Sequence, residues 1–203
     1  RIDRFVTGIY DYSIFTSVFT PLKGYDPMYP LKITMSAQDW CGQSFVQLNN
    51  DDGFVLQSNS YFQSEGDTTL PVEYVCTEDN LFNIIRIDTS LVPVGEFKML
   101  PSMSFIRTNH ISLSPVNANG AISRIDKTIV YTCEMPSIRR SIRVFIDTEK
   151  DNQIIKWTET YPTVMDGQLR TSTYRLKGLS RLPYWELNAA KDTVFRDTLS
   201  LNE

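Results

Sequence analysis

Alternation of apolar and polar residues with a period of two limits this chain more than any other feature. In "LKITMS", Leu31, Ile33 and Met35 alternate with Lys32, Thr34 and Ser36, as a strand with one buried face requires. The same period runs through "IYDYSIFTSVF" (9–19), "SFVQL" (44–48) and "FVLQSNSYF" (54–62), with a shorter run near "LPVEYV" (70–75). "NNDDG" joins two of these runs, and its Asn, Asp and Gly residues suit a turn with left-handed positions. Short turns between consecutive strands imply antiparallel pairing.

One helix interrupts the strands. Thr77 offers an N-cap hydroxyl, Glu78 and Asp79 stand where a helix dipole favours anions, and Leu81, Phe82, Ile84 and Ile85 form an apolar stripe. Pro93 and Gly95 end that region. "EFKML" and "MSFIRTNHISL" then read as strands, and "NANG" (117–120) as a turn into one long strand, "AISRIDKTIVYTCEM". A last meander holds "SIRVFID", "QIIKWTETYPTV" and "QLRTSTYRLK", with Asp166–Gly167 as a two-residue hairpin signal. The tail, "YWELNAAKDTVFRDTL", has room for a short helix. No repeat or linker divides the chain, so residues 1–203 are predicted to form a single β-rich domain. The expected fold is mainly β: one curved antiparallel sheet or half-open barrel of about ten strands, wrapped around one or two short helices.

Composition removes several function classes. The 203 residues include three Trp, ten Tyr and eleven Phe, and 41% are hydrophobic, which suits a packed core rather than disorder. A net charge of −4, with no Lys/Arg run longer than two, gives no general field for nucleic acid. No apolar run approaches the roughly 20 residues of a membrane-spanning helix. The chain opens at "RIDRF" without an initiator methionine, as a trimmed or mature fragment would, so any export signal is expected outside it.

Cys41, Cys76 and Cys133 have no CxxC spacing, and His110 is the single histidine, so zinc and other metal sites are not expected. One disulfide with one free thiol is compatible with the count. "AQDWCGQ" (37–43) reads as a turn: Gly42 would supply a positive φ, Trp40 would cover the core's end and Cys41 would be buried. Cys133, in phase with Ile129 and Tyr131, reads as core, and His110 as an exposed residue on a strand's polar face. GxSxG, HExxH and P-loop signatures are absent. No enzyme activity and no cofactor are therefore predicted.

The last meander carries the one site inference. A four-residue loop at 149–152 would set Ile142 opposite Glu159, Val144 opposite Trp157 and Ile146 opposite Ile155. A two-residue turn at Asp166–Gly167 would set Trp157 opposite Leu176, Glu159 opposite Tyr174 and Tyr161 opposite Ser172. Opposed residues share a face. That face then grades from Val144, Ile155 and Trp157 into Arg140, Glu159, Tyr161, Arg170 and Tyr174, the pattern of a ligand cavity with an apolar floor and a polar mouth. On this reading Trp157→Ala and Arg140→Glu would release ligand without unfolding the protein.

The helix within "CTEDNLFNIIR", the segment "VPVGEFKMLPS", and the late "IIKWTETY" followed by "YWELN" resemble uncharacterised exported proteins of Gram-negative bacteria. Some of those carry a septum-formation-inhibitor label. The Ser-x-Ser-Pro-Arg-Arg motif and α/β pattern of the nucleotide pyrophosphatases that bear it are missing here. In architecture the pattern is similar to periplasmic lipoprotein carriers, whose half-open barrel wraps helices and holds acyl chains. The resemblance implies a periplasmic or outer-membrane-anchored lipoprotein. The expected partner is a lipid or amphipathic ligand, or else an envelope protein docking on the outer surface.

Overall fold

The computed structural model describes residues 1–199. Six strands form an antiparallel meander in sequence order: β1 (Ile2–Thr7), β2 (Tyr10–Phe19), β3 (Lys32–Gln38), β4 (Gln43–Asn50), β5 (Phe54–Asn59) and β6 (Thr68–Val72). A short β7 (Cys76–Thr77) and a 3-10 turn (Glu78–Asn80) lead into α1 (Leu81–Ile87). After β8 (Gly95–Leu100) comes α2 (Met103–Asn109). The second sheet is completed by β9 (Val116–Ile125), β10 (Thr128–Met135), β11 (Arg140–Asp147), β12 (Gln153–Pro162) and β13 (Leu169–Arg175), in the order β13-β12-β11-β10-β9-β8-β7. It curls into a half-barrel, and only its β7–β8 pair is parallel. The tail adds 3-10 turns at Tyr184–Glu186 and Ala190–Leu199.

The fold is mainly β, as the alternation dictates, with thirteen strands in two sheets among the described residues instead of about ten in one. Each sheet buries its apolar phase under one helix. Ile33, Met35, Leu48 and Leu56 pack with Met103 and Ile106 of α2, while Tyr131, Cys133, Ile142, Val144 and Ile146 pack with Leu81, Ile84 and Ile85 of α1. Asn80 ties the layers together, donating to the Pro27 and Met28 carbonyls at 2.8 and 3.1 Å and accepting from Thr20 at 2.5 Å. Among the described residues, no helix is long and apolar enough to cross a membrane.

Several expectations are corrected. "MSFIRTNHISL" is not a strand. Its apparent alternation hides a helical stripe of Met103 and Ile106, and the Asp79 carboxylate accepts the Met103 N–H at 2.9 Å at the head of α2. Asp79 thus caps α2, not α1, and the Thr77 hydroxyl makes no cap bond. "NANG" lies within β9, and the long strand at 121–135 is broken into a hairpin by Asp126, at φ 52°. β1 has no counterpart in the sequence reading.

"AQDWCGQ" is a turn, with Gln38 paired to Gln43, but its details differ. Asp39 holds it by accepting the Cys41 and Gly42 N–H groups at 2.7 and 3.0 Å. Gly42 is needed for space, not for positive φ: a Cβ there would stand 2.7 Å from the Tyr61 ring. Trp40 does not cover the core but lies 61% exposed against Tyr10, and Cys41 is exposed. All three cysteines are free thiols.

Candidate functional site

The β11–β12–β13 meander gathers the predicted face with two changes of register. Ile142 opposes Glu159 and Val144 opposes Trp157 as expected, but a bulge makes Ile154, not Ile155, the partner of Ile146. The β12–β13 connection is a six-residue loop (163–168), not a two-residue turn, because Pro162 pairs with Leu169. Asp166 closes that loop by accepting from Thr163, from the Gln168 N–H and from Arg170. Trp157 therefore opposes Tyr174, Glu159 opposes Ser172 and Tyr161 opposes Arg170. The β13 slip is two residues, so every β13 side chain keeps its face, whereas the bulge sets Ile154 in the place expected for Ile155.

Most of that face is internally engaged. Val144 lies fully buried beneath α1, and Ile155 stands at the bulge outside that core. Trp157 packs edge-on to Phe82 of α1 and stacks on Tyr174 at 4.4 Å. Arg140 donates from Nε and Nη2 to Glu78 at 2.9 and 2.5 Å, and from Nη2 to Glu159 at 3.1 Å. Arg1 meets the other Glu159 oxygen at 3.0 Å and lies over the Trp157 and Tyr174 rings. Burial would raise the Glu159 carboxyl, but Arg1 and Arg140 hold it below the usual carboxylate range. Burial, then the Glu159 charge, pushes the Tyr174 phenol up to about 12. Arg170 stays exposed, paired with Asp166 at 2.8 Å.

Two clefts open on opposite flanks of α2. The first, the edge cleft of about 520 Å³, lies between β1, α2 and β12–β13. It brings Glu159, Tyr161 and Tyr174 together with Arg1, Arg4, Phe105 and Ser172. The Arg1–Glu159 pair already described matches two of its charges, and Arg1 also pairs with Asp3 at 2.7 Å.

The second cleft, about 550 Å³, lies between α2, β4–β6 and the segment after α2. Val46, Met103, Ile106, Ile111 and Leu113 give it an aliphatic floor, and Phe62, Glu65, Arg107 and His110 form its rim. His110 ends α2 in a left-handed conformation, φ 51°, and meets Glu65 Oε1 through Nδ1 at 2.6 Å. Ser60 donates to Glu65 Oε2 at 2.5 Å. Burial would raise Glu65, but the Ser60 and His110 bonds and the Arg107 charge hold it below the ordinary range. Arg107 donates from Nε to Ser44 at 2.9 Å, and its guanidinium covers the Phe62 ring at 4.5 Å.

In sequence "MSFIRTNH" scans as a strand, which gives Arg107 and His110 no common site. Only its helical phase places Met103, Ile106, Arg107 and His110 on one side. No family model, curated protein or solved structure matches this chain.

Proposed function

We propose that this protein is an extracytoplasmic, non-enzymatic domain that binds an apolar or amphipathic ligand, seated in the second cleft beside α2. The observation that carries the reading is the pairing, in one opening of about 550 Å³, of an aliphatic floor with a rim that offers hydrogen-bond donors. This volume lies in the ordinary range of small-ligand sites, and the distribution of polar groups is the one that orients an amphiphile. The predicted residues of the meander do not line this cleft; Arg140 and Tyr161 pack on Phe105, on the opposite flank of α2. Placement outside the cytoplasm rests on the resemblance to exported proteins.

The test is displacement of the neutral fluorophore N-phenylnaphthylamine by single-chain amphiphiles. Thr68 lines this cleft from the edge strand β6, so Thr68→Trp fills the opening from its rim. The expected result is loss of probe binding in Thr68→Trp with an unchanged melting temperature. Ser172→Trp, which fills the edge cleft, is expected to bind normally. Equal binding by Thr68→Trp and the parent protein would sink the assignment.

A second reading, an envelope interaction protein, is favoured by one observation. The β1–β2 hairpin exposes Ile2, Val6 and Ile9 at 61%, 65% and 72%, a run of apolar side chains without cover in the described residues. Loss of partner crosslinking in Val6→Glu, with amphiphile binding intact, would support that reading instead.

A further inference from the structure

The charges around the second cleft say which head group it takes, an inference that rests on the proposed ligand-binding role. Arg107 has 11% of its side chain exposed and lines the cleft. A guanidinium has five N–H donors. Among the described residues its hydrogen bonding is limited to the Nε bond to Ser44. Glu65 Oε1 stands 3.8 Å from Nη1, close enough to balance the charge and too far to accept a hydrogen bond. The two Glu65 oxygens are already occupied by His110 and Ser60. The rim thus has its charge matched and its donors open.

That combination selects between ligands. Of the residues lining the cleft, only Glu65, Arg107 and His110 carry ionisable side chains. With the imidazole uncharged, Arg107 and Glu65 cancel within the lining, and the Asp39 carboxylate outside it adds a further negative charge acting on Arg107. A carboxylate or phosphate head arriving at Nη1 and Nη2 would leave one surplus negative charge beside Glu65 in a half-enclosed, partly apolar site, which is costly. An ammonium head would face the guanidinium. A neutral carbonyl or hydroxyl oxygen would accept from the open Nη groups and bring no charge. The aliphatic floor beside Arg107 then takes an alkyl chain.

We propose that the second cleft binds an uncharged single-chain amphiphile, with an ester, amide or alcohol oxygen accepting from Arg107 and the chain lying on Met103, Ile106 and Leu113.

The experiment compares three ligands with matched chains, monolauroylglycerol, laurate and dodecylamine, by displacement of N-phenylnaphthylamine at pH 8. Monolauroylglycerol is expected to bind about tenfold or more tighter than either charged ligand. Glu65→Gln keeps an acceptor for His110 and removes the carboxylate from the rim, leaving the guanidinium only the attraction of Asp39, which lies outside the cleft lining. Its expected effect is a gain of about tenfold for laurate, with monolauroylglycerol little changed. Arg107→Lys, which keeps the charge but not the fork of donors, should weaken monolauroylglycerol. Laurate binding as tightly as monolauroylglycerol to the parent protein would overturn the head-group assignment and leave the cleft as a ligand site. Failure of all three ligands to displace the probe, together with indifference to Thr68→Trp, would overturn the ligand-binding role itself.

Discussion

Replacing Arg140 with Met keeps most of the side chain's bulk and removes its charge from a site where it is 1% exposed. Glu78, 2% exposed, then loses both its hydrogen bonds to Arg140. Glu159 loses one and keeps Arg1 and the Trp157 indole N–H at 3.1 Å. Breaking a buried pair from one side leaves an uncompensated charge and costs about 3–5 kcal/mol. Such a loss is a large part of the 5–15 kcal/mol typical of a folded domain. For a chain of this size it lowers the melting temperature by about 6–20 °C. Urea unfolding at pH 7 reads the loss directly. Because Arg140 helps hold the parent's Glu159 carboxyl below the usual range, the parent loses that contribution as pH falls through it, and the deficit should shrink. The double variant Arg140→Met/Glu78→Leu should recover most of the stability. A single variant within about 1 kcal/mol of the parent at pH 7 would refute the reasoning, as would a double variant no better than the single one. The same geometry predicts that Arg140→Glu unfolds the protein, because it would set a third carboxylate between Glu78 and Glu159. Loss of ligand without unfolding, as the sequence suggested for that change, is not expected.

Three further outcomes follow from the packing. Burial raises the Asp79 carboxyl to about 6, above its unfolded value near 3.9. Stability from this group is therefore fullest below pH 4 and falls by up to about 3 kcal/mol as pH rises to 6. Asp79→Asn should flatten that slope in a pH series of urea melts, and an unchanged slope would contradict it. At Gly120 a Cβ would lie 2.1 Å from the Pro93 carbonyl, where Tyr131 also donates at 2.9 Å, so Gly120→Ala should cost more than about 2 kcal/mol by thermal melting. In a thiol-labelling time course, Cys41 should react within minutes, on the order expected for an exposed thiol. Cys133, fully buried and pushed up to about 12 by that burial, should wait for denaturant.

The strands were legible where alternation is long and one face is dry, as in β3, β4 and β11. β1 was not, because Phe5 and Val6 are both exposed and leave no period to read. α2 was hidden because seven residues are too few to separate helical from strand spacing, and the interaction that caps it comes from Asp79, 24 positions away. The meander's face survived its register errors except at Ile155: β13 slipped by two positions, and the bulge set Ile154 in Ile155's place. The apolar-to-polar gradient on that face was also legible. Its use was not: Glu78 reads in sequence as an acid at a helix start, and nothing local shows that it turns inward to meet Arg140 across 62 positions. The cleft residues Arg107 and His110 depend on α2 and were lost with it.

The most direct test of the ligand-binding account is native mass spectrometry of the protein purified from the envelope fraction of its own host, before and after denaturation. The account predicts an added mass that leaves on denaturation, proves to be an uncharged single-chain amphiphile, and is missing from Thr68→Trp. A bare mass in repeated preparations of the parent protein, or the same ligand retained by Thr68→Trp, would contradict it.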